Sequence, residues 1–247
     1  MKPDFIIFNG CSFTQGGGLE NPSILNLYGY NLPIKKDGSE YYDIRESLTY
    51  SKVVSDYFNC DYVNLAESAN SNENIFQTTF NYVEENLEKL SNYKNINCFI
   101  QTTMSHRKSV KYKGEYMNVN SFDKTAHPFR RSDGHYDSLQ KWYEIFMIDI
   151  FDEKYEAQKT KKEIYTLREY LKSKNIKSNF LIYSDIELIK ILNKKDYIRF
   201  AENDELMDFM EIVKLRICDE VDSPDAHFSP TGHKNIADIL IKKIEND

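Results

Sequence analysis

The chain has 247 residues, of which 40% are hydrophobic and 29% charged, with a formal net charge of −7. That length supports a substantial core and fits one α/β domain over residues 1–247, with insertions at about 15–46 and 105–137, better than two domains. The acidic balance excludes a general nucleic-acid binder, which needs clustered Lys and Arg to neutralise phosphates, and no apolar run of about 18 residues offers a membrane span. In chain order, a first strand is expected at Phe5–Phe8, then a long loop through Gly16-Gly17-Gly18, then a helix at Ser47–Phe58. A strand at Tyr62–Leu65, a helix at Asn72–Leu90 and a strand at Ile96–Gln101 follow. After the polar and aromatic insertion comes a long helical stretch, Ser138–Lys174, broken near Asp152. The last elements are a strand at Phe180–Tyr183, a helix at Ile186–Leu192, a strand at Tyr197–Phe200, and helices at Glu205–Cys218 and Pro230–Ile244.

Short apolar runs that alternate with amphipathic stretches are the pattern of strands buried on both faces of a parallel sheet. The expected fold class is therefore α/β, a three-layer, flavodoxin-like doubly wound sandwich with about five parallel strands and helices on both faces. In such sheets ligands bind beyond the carboxyl ends of the strands. The scattered Cys11, Cys60, Cys98 and Cys218 show neither disulfide-framework nor Cys-x-x-Cys spacing. With no basic region followed by an apolar run at the start, the expectation is a cytoplasmic protein with reduced thiols.

Two stretches at opposite ends carry the chemistry. Phe5–Phe8 delivers Gly10-Cys11-Ser12-Phe13-Thr14 into a turn at the carboxyl edge of the sheet, and Asp225-Ala226-His227-Phe228-Ser229-Pro230 precedes the final helix. Ser229 with Pro230 is an N-cap followed by proline at the first helical position, which leaves His227 in the loop before it. A serine becomes a nucleophile when a base takes its proton and a third group orients that base. Ser12, His227 and Asp225 have the residue types for those roles. Gly16-Gly17-Gly18 lacks the Lys and Ser/Thr of a phosphate loop and reads as a flexible loop. His106, His127 and His135 with Asp133 match no zinc signature, so no metal is expected.

These blocks resemble the SGNH/GDSL hydrolase family, whose serine lies in a Gly-Asp-Ser block and whose histidine lies in an Asp-x-x-His block. Cys11 stands where the family has aspartate, and Pro224 stands three residues before His227, so Asp225 or Asp222 fills the acid position. Val63-Asn64-Leu65-Ala66-Glu67-Ser68-Ala69-Asn70 resembles the second block, with Ala69 at its oxyanion glycine. Phe99-Ile100-Gln101-Thr102-Thr103 occupies the third block without its asparagine. The resemblance implies oxyanion or substrate contacts from Gly10, Ala69, Asn72 and Thr103, with Asn70 an alternative to Asn72. It implies an esterase or deacetylase that cleaves an acyl ester on a carbohydrate or small molecule without a cofactor. The alternative is a catalytically silent module of the same fold that binds a glycan or a protein.

Overall fold

The computed structural model describes residues 2–30, 39–112, 115–119, 141–182, 185–193, 195–198, 216–221 and 227–247. Its centre is a parallel sheet of four strands, β1 (Phe5–Asn9), β2 (Asp61–Asn64), β3 (Ile96–Gln101) and β6 (Ile176–Leu181), in the order β2-β1-β3-β6. All five residues of β1 are buried, as are all six of β3. Ile6 and Phe8 face one core cluster while Phe5 and Ile7 face the other, the period of two that a strand imposes. Both faces are therefore apolar.

Helices cover each face. On the Ile6 and Phe8 side lie α4 (Tyr50–Phe58) and the C-terminal α10 (Pro230–Asn246). The opposite side is covered by α5 (Asn72–Glu85) and α7 (Glu153–Ser173). Their starts are fixed by side-chain caps: Thr49 accepts from Lys52 N–H, Ser71 from Asn74 N–H, Asp152 from Tyr155 N–H and Ser229 from Gly232 N–H. The α/β three-layer class is as the apolar periodicity implies.

Individual elements differ from expectation. Of the fifth strand expected at Tyr197–Phe200, the described residues show one parallel bridge, between Leu181 and Ile198; residues 199–200, and most of the helix expected at Glu205–Cys218, lie outside the described residues. Strand β6 begins at Ile176, ahead of its apolar half, because Lys177 and Ser178 reach toward solvent while their backbone pairs with β3. The helix expected over Ser47–Phe58 is two helices, α3 (Ser39–Leu48) and α4, separated by the cap Thr49. The 15–46 loop also contains α1 (Ser12–Gln15) at its root and α2 (Pro22–Leu27). The second insertion contains an antiparallel hairpin of β4 (Lys108–Tyr112) and β5 (Glu115–Val119). The break near Asp152 is present, preceded by a π-helical turn at Phe146–Ile150. The other helices among the described residues are α6 (Leu87–Leu90), α8 (Ile186–Ile191) and α9 (Ile217–Glu220).

No helix among the described residues is long and apolar enough to cross a membrane.

Candidate active site

The chain leaves β1 at its carboxyl end, between β2 and β3, where the order of connections reverses. That is the crevice in which open α/β sheets bind ligands. Asn9 locks this exit: its Nδ2 donates to Ile75 O, Thr78 Oγ1 and Thr79 Oγ1, each at 2.9 Å, and its Oδ1 accepts from Gly10 N–H. Gly10 cannot be larger, since a β-carbon there would meet Thr14 Cβ at 2.9 Å and Gln101 Cβ at 3.0 Å. Its carbonyl accepts from Glu67 N–H and Asn70 Nδ2. Both backbone groups of Gly10 are thus engaged in the turn.

Ser12 is the first residue of α1, and its neighbour Cys11 is fully buried. The short helix is pinned from below. Tyr50 OH donates to Thr14 Oγ1, Thr14 Oγ1 donates to Gln101 Oε1, and Asn64 Nδ2 donates to Thr14 O. Burial pushes the Tyr50 phenol far above its ordinary range, so this relay stays neutral and its donor directions stay fixed.

His227 Nε2 lies 2.8 Å from Ser12 Oγ, across 215 residues of sequence. The imidazole is bordered by Phe13, with ring centroids 4.8 Å apart, and Phe13 packs in turn on Phe228. Gly17 closes on the pair, its N–H donating to Ser12 O at 2.7 Å. Ser12 itself is 5% exposed.

The other sequence-derived residues divide. Asp225 and Asp222 lie outside the described residues, as do His127, Asp133 and His135. Ala69 adopts a φ of +64°, the left-handed region that glycine enters freely, so this position takes a glycine's conformation at the strain of a side chain. Asn72 and Thr103 form a reciprocal pair in which Asn72 Nδ2 donates to Thr103 O at 3.0 Å and Thr103 N–H donates to Asn72 Oδ1 at 2.7 Å. Asn72 therefore frames the Thr103 backbone. The Thr103 hydroxyl is buried and has no hydrogen-bond partner among the described residues. Asn70 is engaged with Gly10 O, Ser71 N–H and Asn74 Nδ2. His233, one turn into α10, is fully buried and accepts from Tyr50 N–H through Nδ1.

Gly17 was not legible as a site residue, although the Gly16-Gly17-Gly18 run was its signal. Its lack of a side chain is what admits the His227 ring beside Ser12.

No protein-family profile matches the chain, and no curated protein matches it. Among solved structures, it is similar to a protein described as lipolytic, of G-D-S-L family, from Desulfitobacterium hafniense DCB-2. That similarity has 13% identity and a TM-score of 0.45, over 97% of this chain and 98% of the other. It is also similar to a carbohydrate esterase described as having divergent catalytic and non-catalytic binding functions, at 11% identity and a TM-score of 0.38. There the match covers 98% of this chain and 68% of the other.

Proposed function

We propose that the chain is a serine ester hydrolase of the SGNH/GDSL type. The observation that carries this reading is the 2.8 Å contact between Ser12 Oγ and His227 Nε2 at the carboxyl edge of a parallel sheet. A nucleophile and base must lie within about 2.6–3.2 Å for proton transfer, and a histidine poised on a strand-to-helix serine meets that condition.

In the proposed mechanism His227 Nε2 takes the Ser12 proton as Oγ attacks the acyl carbonyl. Asp225 is the acid assigned to orient the imidazole, with Asp222 as its alternative. The oxyanion is stabilised by Ser12 N–H, the first amide of α1 and an orphan donor by helix geometry, by Ala69 N–H, and by the Thr103 hydroxyl. His227 then returns the proton to the leaving alcohol. Water, deprotonated by the same residue, hydrolyses the acyl-enzyme. This sequence calls on no metal or organic cofactor.

The 5% exposure of Ser12 favours a short acyl group, such as acetyl, on a small molecule or carbohydrate. Labelling by a fluorophosphonate probe tests the reading. The wild-type chain is expected to label and to hydrolyse short-chain nitrophenyl esters, and Ser12→Ala to do neither. Equal inertness of wild type and Ser12→Ala would replace the enzyme with the silent binding module.

A further inference from the structure

His227 is not held by its own loop alone. Its carbonyl accepts from Ile217 N–H at 2.8 Å, the first amide of α9, and Arg216 bridges Phe228 beside it. The last residue of α9 is Glu220, and its carboxylate has two engagements. Oε1 accepts from Ser229 Oγ at 2.7 Å, and Oε2 accepts from Tyr28 OH at 2.8 Å. Ser229 is also the N-cap of α10, accepting from Gly232 N–H at 3.2 Å. The tyrosine hydroxyl lies a further 2.5 Å from Thr231 Oγ1 in the first turn of α10.

Glu220 therefore joins three pieces of chain: α9, the turn that starts α10, and the segment after α2. That last segment is continuous with Gly17, which lies against His227 at its other end. Residues 227–229, held at His227 O and at Ser229 and with Gly17 beside the ring, have little freedom to move the imidazole away from Ser12. An unbraced loop of the same length would sample many backbone states, each misplacing Nε2. Misplacement of about 1 Å costs a reacting pair up to about a hundredfold in rate.

We infer that Glu220 is a positioning residue for His227, acting through Ser229 and latched to the 15–30 segment by Tyr28. Glu220 touches neither Ser12 nor the ring, so its effect falls on how often the two are aligned. This assignment rests on the hydrolase reading above. It adds that the first half of the 15–46 insertion is part of the machinery that holds the base.

The experiment uses the full chain and three substitutions, Glu220→Ala, Glu220→Gln and Tyr28→Phe. The readouts are the second-order rate constant and final extent of fluorophosphonate labelling at Ser12, together with kcat and KM on nitrophenyl acetate. Glu220→Ala is expected to lower the labelling rate constant and kcat by roughly tenfold, with KM and the final extent of labelling unchanged. Tyr28→Phe is expected to lower both rates by roughly threefold, and Glu220→Gln, which keeps an acceptor for Ser229, to recover most of the loss. A residue with a merely structural role would reduce the extent of labelling and leave the rate of the folded fraction unchanged, and that result overturns the inference. So does Glu220→Ala labelling at the wild-type rate. If Glu220→Ala does not fold, Tyr28→Phe decides, and an unchanged rate there also overturns it. Wild type that labels while the variants match it sinks this inference alone, whereas wild type that never labels sinks the hydrolase reading and this inference together.

Discussion

A β-carbon on Gly17 would stand 3.2 Å from Nε2 of His227 and 3.1 Å from Cβ of Ser12, so any side chain at Gly17 would crowd both members of the pair at once. Contacts of that length are tighter than side chains ordinarily make, and something must give. Helix α1 is pinned through Thr14 and Asn64 and the His227 backbone through Ile217, so the added methyl acts on the Ser12–His227 contact itself. Gly17→Ala is expected to lower kcat on a nitrophenyl ester roughly tenfold with little change in unfolding midpoint. The larger Gly17→Val should abolish labelling of Ser12. Wild-type rates in Gly17→Ala would show that the ring has room that the geometry denies it.

The buried His233 makes stability depend on pH. Burial, with His227 nearby adding to it, lowers its pKa to about 3, whereas in the unfolded chain a histidine titrates near 6.5. Between those values the unfolded state binds a proton that the folded state refuses. The stability present above about pH 6.5 is therefore lost as pH falls toward 3, by about 1.4 kcal/mol per unit. Urea unfolding at pH 6.5 and pH 5 should differ by about 2 kcal/mol from this group alone. His233→Gln, which can still accept from Tyr50 N–H, should remove that part of the slope. Parallel slopes in the two proteins would contradict the assignment.

The apolar strands were legible because burial on two faces demands a mainly apolar run, which Phe5–Phe8 supplies throughout and Ile96–Gln101 supplies apart from Asn97 and Gln101. Strand β6 was read four residues late, since Lys177 and Ser178 contribute backbone to the sheet and side chains to solvent, and composition records only the latter. The hairpin of β4 and β5 escaped for a related reason. Its sequences, Lys-Ser-Val-Lys-Tyr and Glu-Tyr-Met-Asn-Val, are too polar to announce strands. At the site, Ser12 and His227 were legible because motif spacing fixed each to an element end. Glu220 was not, because its role arises from three segments meeting in space and no local pattern encodes such a meeting.

The hairpin is fastened by charge at a buried position. Lys108 Nζ lies 2.6 Å from Glu156 and 3.2 Å from Glu73, and Lys159 adds a second cation 2.8 Å from Glu73. Burial opposes ionisation of Glu73, yet the hydrogen bonds and charges of Lys159 and Lys108 outweigh it and hold its carboxyl below the ordinary range. Removing one partner of such a network leaves the others charged and desolvated. Lys108→Met should cost about 3 kcal/mol in urea unfolding, and adding Glu156→Gln should recover part of it. A loss under about 1 kcal/mol would mean that the network behaves as an exposed one.

The Thr103 hydroxyl offers a test in which stability and activity move in opposite directions. It is buried without a hydrogen-bond partner among the described residues, while its backbone is held on both sides by Asn72. A buried orphan hydroxyl costs a protein about 1–3 kcal/mol, and replacement by an apolar isostere removes that cost. Thr103→Val should therefore unfold at equal or higher urea concentration than wild type. If the hydroxyl donates to the oxyanion, the same substitution should lower kcat about a hundredfold with KM little changed, because the missing bond forms only as charge develops. Thr103→Ser, which keeps the donor, should stay within about tenfold of wild type. A damaged fold would lose stability and activity together, so a variant that gains the one while losing the other identifies a group kept for the reaction at the expense of the fold. A Thr103→Val chain that turns over at the wild-type rate removes Thr103 from the mechanism and leaves the oxyanion to the amides of Ser12 and Ala69.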